Sequence, residues 1–119
     1  MLISLLKSKL HHIRVTGAEL DYEGSLSLDR DLMDATGILP FEKLLIANLE
    51  NTNRFETYAI EAPRGSRTCC LNGAAARLGK TGDRLIVMSF TLLTPSEAAT
   101  HAPRTLRFDA DNNIAGTAM

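Results

Sequence analysis

Lys43-Leu-Leu-Ile-Ala-Asn-Leu-Glu50, then Asn51-Thr-Asn53, then Arg54-Phe-Glu-Thr-Tyr-Ala-Ile-Glu61 is the stretch that decides the fold. Two runs rich in aliphatic, β-branched and aromatic residues flank three residues that tolerate left-handed backbone, which predicts a β-hairpin. Downstream, Pro63 to Ser66 turns the chain, and Arg67 to Leu71 and Arg84 to Leu93 read as further strands. Between them, Asn72 to Gly79 has room only for a short helix. Thr94-Pro-Ser-Glu97 is a helix start: Thr94 as cap, Pro95 in the first turn and Glu97 reaching back. Arg104 to Asp109 makes a last strand, and Asp111 to Met119, small and polar, reads as a frayed tail. Upstream, Leu10 to Thr16 alternates apolar and polar residues as a strand extending back towards Leu2 and ending at Gly17. Asp29 caps a two-turn helix with Leu28, Leu32 and Ala35 on one face and Gly37 closing it. Many short strands with a few short helices predict a mainly β fold, a small barrel whose closure removes exposed edges.

Composition narrows the function. At 119 residues the chain suits one domain over residues 1–119. Its 13 Lys+Arg against 14 Asp+Glu give a net charge of −1, which supplies no general attraction to nucleic acid or to anionic lipid. Leu85 to Leu93, the longest nearly apolar run, is far too short for a membrane-crossing helix and contains Ser89 and Thr91. The start, Met-Leu-Ile-Ser-Leu-Leu-Lys7, lacks the features of a secretory signal, so a cytoplasmic location is expected. Cys69 and Cys70 are adjacent and cannot staple distant segments; they read as two reduced thiols on a strand. His11, His12, His101 and the two cysteines lack zinc-ligand spacing, and no metal site is expected. Phosphate-cradling glycine loops and the Gly-x-Ser-x-Gly elbow do not occur.

The unusual local feature is Tyr22-Glu-Gly24-Ser25, a hydroxyl directly after a glycine and ahead of the strand-like Leu26-Ser-Leu28. Alone it reads as a tight turn. The same chain also carries, in order, Lys9-Leu-His11, Val15-Thr16, Gly37-Ile-Leu39, Arg54-Phe-Glu-Thr57-Tyr58-Ala-Ile60, Arg64-Gly-Ser66 and Asn72-Gly-Ala-Ala-Ala76. This ensemble resembles the aspartate 1-decarboxylases, densely from Lys9 to Ala76 and more weakly through Leu85 to Phe108.

The resemblance implies a double-psi β-barrel, a homotetramer with active sites between neighbouring subunits, and decarboxylation of L-aspartate to β-alanine for pantothenate synthesis. It also implies a pyruvoyl cofactor made from Ser25 by self-cleavage after Gly24, spontaneously or with a maturation factor. Carried over residue by residue, Arg54 clamps the retained carboxylate of aspartate, Lys9 lies near the leaving one, and Tyr58 donates the quenching proton. Thr57 hydrogen-bonds the oxyanion during cleavage, and Asn72, Gly73, Ala74 and Ala75 line the pocket. Arg54 and Tyr58 are four apart on a strand and face one side, whereas Thr57 faces the other unless a bulge or a second subunit intervenes. The chain departs from the family pattern at Asp21, Leu26 and Ala47. Those departures motivate two alternatives: a barrel that has lost processing and serves as a subunit or binding module, and a pyruvoyl enzyme for another amino acid.

Overall fold

The computed structural model describes residues 1–118. Nine strands form in chain order: β1 (Ile3–Arg14), β2 (Gly17–Glu19), β3 (Ser25–Asp29), β4 (Lys43–Asn48), β5 (Arg54–Ala62), β6 (Cys69–Asn72), β7 (Arg84–Leu93), β8 (Arg104–Phe108) and β9 (Ile114–Gly116). Helix α1 (Arg30–Thr36) follows β3, α2 (Pro95–Ala98) follows β7, and Gly73–Arg77 is a short 3-10 helix. In the hairpin, Leu44 and Ile46 are buried while Lys43, Leu45 and Ala47 keep solvent contact, the period-two pattern of a strand with one buried face.

All nine strands join one sheet in the order β2-β6-β3-β5-β4-β7-β1-β8-β9. Because β1 runs into β2 through Val15 and Thr16, the seven strands from β2 to β1 close on themselves as a barrel. The seam is hydrogen-bonded: Thr16 N donates to Cys69 O at 2.8 Å, and Cys69 N donates to Thr16 Oγ1 at 2.8 Å. Inside lie Leu10, Ile13, Leu26, Leu28, Ile46, Leu71, Leu85 and Val87, each fully buried. The mainly β, small-barrel reading therefore holds.

Helix α1 is capped as its sequence demands. Asp29 Oδ1 accepts from Asp31 N at 2.8 Å, and Gly37 closes the helix at φ 77°, a left-handed conformation that glycine adopts without a Cβ penalty. The same buried carboxylate accepts from Gly65 N at 3.0 Å and Arg67 N at 2.8 Å, tying the turn after β5 to the helix start. Burial alone works against the charged form, but the backbone donors of Arg67, Asp31 and Gly65, with the Arg67 charge, outweigh it and hold this pKa below its ordinary value. Its stabilisation is therefore complete above the unfolded carboxylate's ordinary pKa and is lost as pH falls towards the lowered folded value. Asp29→Asn is expected to lose about 2–4 kcal/mol at pH 7, from the cap and from imperfectly satisfied backbone donors, and to flatten the fall in stability below about pH 4. Urea melts across pH 3 to 7 measure both.

Two expectations are corrected and one is made more specific. The chain does not stop being a strand at Gly17: after a two-residue break, β2 pairs parallel with β6, Gly17 opposite Cys70. The short helix expected between β6 and β7 is present, as the 3-10 helix Gly73–Arg77. The tail is ordered in part, since Ile114–Gly116 pairs with β8 and Asn112 is buried. Asn112 accepts from Arg14 N at 2.7 Å and donates to Arg14 O at 2.9 Å and Arg67 O at 3.1 Å, so one amide side chain anchors the segment. Met119, the last residue of that expected tail, lies outside the described residues.

Candidate active site

Strand β3 starts at Ser25, immediately after the loop carrying Tyr22, Glu23 and Gly24. Because β3 pairs antiparallel with β6, Ser25 stands opposite Asn72 and Ser27 opposite Cys70. Leu26, Leu28, Cys69 and Leu71 take the core-facing positions, leaving Ser25, Ser27, Cys70 and Asn72 on the other face. Ser25 is 1% exposed, and its Oγ accepts a hydrogen bond from Asn72 Nδ2 at 2.9 Å. A hydroxyl that sequence alone assigns to a turn is thus buried and held.

Gly73 explains how Gly24 is approached so closely. It adopts φ 65°, and a Cβ there would lie 2.7 Å from Gly24 Cα, 2.8 Å from Gly24 N and 3.0 Å from Tyr22 O. Only a residue without a side chain lets the backbone after β6 press against the peptide before Ser25. Beside this contact opens a cavity of about 340 Å3 lined by Gly24, Thr57, Tyr58, Asn72, Ala74 and Ala75, with Phe55, Glu56 and Leu78 completing it.

Thr57 and Tyr58 both reach this cavity although they are consecutive on a strand, and the pairing of β4 with β5 is continuous from Lys43–Tyr58 to Ala47–Arg54, without a bulge. Sheet topology supplies the reason. Strand β5 pairs with β3 only from Ala59, opposite Leu26, so residues 55–58 run past the Gly24 end of β3 as an edge. Side chains from both faces can meet around such an edge.

Lys9 and Arg54 are not among the residues lining the cavity. Lys9 sits on β1 between Met88 of β7 and Thr105 of β8, and Arg54 is exposed at the start of β5 opposite Ala47. Neither makes an ion pair among the described residues, whereas neighbouring Lys7 is paired with Glu42 at 2.8 Å. Burial, then the charges of His12, Lys9 and Arg107, push the pKa of nearby His11 down. One chain therefore assembles the Gly24–Ser25 peptide with Thr57, Tyr58 and Asn72 and leaves two cationic side chains outside. Asp21 is exposed in the preceding loop, Leu26 belongs to the core, and Ala47 lies half-buried on β4.

Ser27 and Cys70, absent from the sequence-derived site, contact it directly: Asn72 Nδ2 donates to Ser27 Oγ at 2.8 Å, and Cys70 Sγ donates to Asn72 Oδ1 at 3.4 Å. Their signal is the strand register, which no local motif displays.

The family model for aspartate decarboxylase matches residues 1–115, nearly the whole barrel. The chain belongs to this family. Among curated relatives, an aspartate 1-decarboxylase from Salinibacter ruber is 50% identical over 97% of this chain and 79% of its own length. Those from Phenylobacterium zucineum and Caldicellulosiruptor saccharolyticus are each 52% identical over 96% of this chain, covering 97% and 89% of their own lengths. Among the described residues no group of three or more His, Cys, Asp or Glu side chains is placed to hold a metal ion. No helix among those residues is long and apolar enough to cross a membrane.

Proposed function

We propose that this chain decarboxylates L-aspartate to β-alanine and CO2, in the cytoplasm and for pantothenate synthesis, using a pyruvoyl group formed from Ser25. The observation that carries the reading is the buried Ser25 hydroxyl, held by Asn72 directly after a Gly24 whose backbone touches Gly73, at a cavity shared with Thr57 and Tyr58. These residues fit such a group. A nucleophilic oxygen is fixed beside a glycine peptide, and the cavity gives the newly formed end a place to meet a small amino acid.

Self-processing balances without an external energy source. Ser25 Oγ bonds to the carbonyl carbon of Gly24, the Gly24–Ser25 C–N bond breaks, and the hydroxyl proton passes to the nitrogen. Water then takes the Cα proton of residue 25, and the Cβ–Oγ bond breaks with its electron pair remaining on Oγ in a Gly24 carboxylate. Hydrolysis at the same residue releases ammonia and leaves a carbonyl, so the chain ends as residues 1–24 and 25–119. Thr57 stabilises the oxyanion of the first step, and Thr57→Ala is expected to slow fragment formation by about 10²–10³-fold. A time course of denatured masses measures this, and an unchanged rate removes Thr57 from the mechanism.

The pyruvoyl group supplies an electrophilic carbonyl that takes up the electron pair released with CO2. The protein does the rest. Arg54 clamps the side-chain carboxylate that aspartate retains, its planar fork matching two oxygens, and Lys9 draws in the carboxylate that leaves. Tyr58 Oη delivers a proton to the substrate carbon that loses CO2. Asn72, Gly73, Ala74 and Ala75 bound the space around the substrate. Lys9 and Arg54 lie outside the cavity of their own chain, which fits the arrangement the family resemblance implies, a site completed between neighbouring copies in a homotetramer. Comparison of CO2 release from aspartate and from glutamate tests the assignment. Release from aspartate with β-alanine as product supports it; a preference for glutamate changes the substrate, and release from neither removes the function.

A further inference from the structure

The Asn72 amide has two N–H groups and one carbonyl oxygen, and all three are engaged. Nδ2 donates to Ser25 Oγ at 2.9 Å and to Ser27 Oγ at 2.8 Å, while Oδ1 accepts from Cys70 Sγ at 3.4 Å. The arrangement arises from register: Ser27 is opposite Cys70, Ser25 is opposite Asn72, and the amide reaches diagonally across the ladder. We propose that Ser27 and Cys70 are positioning residues for chain cleavage, locking the Asn72 amide so that its remaining N–H is aimed at Ser25 Oγ. This inference rests on the self-processing proposed above.

The lock specifies an orientation as well as a place. A reversed Asn72 amide would face Cys70 with N–H donors, for which sulfur is only a weak acceptor, and would leave Ser25 Oγ without an N–H donor. Cys70 remains a thiol donor at neutral pH, since burial and the Glu19 carboxylate push its pKa up. With Oδ1 committed to the thiol and one N–H to Ser27, the other N–H has a single direction left.

That direction matters most in the second half of the reaction. When the Cβ–Oγ bond breaks, Oγ keeps the electron pair and becomes an oxygen of the Gly24 carboxylate. A donor already aimed at Oγ meets this charge as it develops and needs no reorganisation, the condition under which a hydrogen bond speeds a step. In the first half, Oγ gives electron density to carbon, and the same bond only fixes the rotamer. Loosening the lock is therefore expected to slow elimination more than ester formation, so that ester accumulates.

The test follows purified full-length chains over time by denatured mass, with and without hydroxylamine. Hydroxylamine cuts the ester and gives a 25–119 fragment that retains its serine, heavier than the processed fragment by the elements of ammonia. Ser27→Ala and Cys70→Ala are each expected to lower the rate of processed fragment by about 3- to 10-fold, the worth of one hydrogen bond, and to build up the hydroxylamine-sensitive species. Ser27→Thr and Cys70→Ser, which keep an oxygen acceptor and a donor respectively, are expected to restore the wild-type course. Wild-type kinetics in both alanine variants overturn the inference while leaving self-processing intact. So does equal slowing in Ser27→Ala and Ser27→Thr without ester, which is the pattern of a folding defect. A wild-type chain that never divides, even after incubation with a lysate able to mature its relatives, removes the proposed function, and this inference with it.

Discussion

Ser25→Ala is expected to give a chain that stays whole indefinitely and releases no CO2 from aspartate above the uncatalysed background. Alanine keeps the strand, since position 25 is buried and alanine is smaller than serine, so β3 and its pairing with β6 are retained. What disappears is the only oxygen that Asn72 holds directly next to Gly24. The loss is one of chemistry, and a melting temperature near that of the parent chain separates it from unfolding. Any decarboxylation by this variant refutes an internal cofactor, because no later residue can supply the same carbonyl at the cleavage point. Gel mobility, intact mass and CO2 release on one preparation measure all three.

Gly73→Ala has the next largest expected effect, by a different route. A left-handed backbone at φ 65° costs an alanine about 1–2 kcal/mol, before its Cβ meets Gly24 Cα at 2.7 Å and Gly24 N at 2.8 Å. Those neighbours are backbone atoms and cannot swing aside as a flexible side chain would. The loop carrying Gly24 must shift, which displaces the Gly24 carbonyl relative to the Ser25 Oγ that attacks it in the proposed cleavage. Misplacement on the ångström scale costs on the order of 10²-fold, so fragment formation is expected to slow by about that factor. Urea melts report the strain and denatured masses report the cleavage. Processing at the parental rate would show that the close contact between Gly73 and Gly24 plays no part.

Local rules made much of the barrel legible. The 43–61 hairpin declares itself by two β-prone runs around Asn51-Thr-Asn53, and α1 by Asp29 and Gly37 at its ends. The capping box at α2 was readable because Thr94 and Glu97 lie three apart and bond each other's backbone. Features made by distant partners were not readable. Strand β2 is three residues long and exists because β6 lies beside it, and the order of the final segment comes from Asn112 bonding Arg14 and Arg67. Neither leaves a periodic signal.

The site divides in the same way. Gly24, Ser25, Thr57, Tyr58 and Asn72 were visible through family motifs, and in the fold Gly24, Thr57, Tyr58 and Asn72 line one cavity with Ser25 buried against Asn72. That Thr57 and Tyr58 share a cavity depends on β5 outrunning β3, which strand alternation by itself does not foresee. Ser27 and Cys70 read in sequence as ordinary strand residues, because only the pairing of β3 with β6 places them on either side of Asn72.

The proposed chemistry depends on what residue 25 becomes, and the intact mass of the aged, denatured wild-type protein reads this directly. The expected result is two fragments, residues 1–24 ending in a free carboxylate and residues 25–119 beginning with a carbonyl in place of an amine. A single 119-residue chain with its serine unaltered, even after incubation with a lysate able to mature its relatives, would contradict the account.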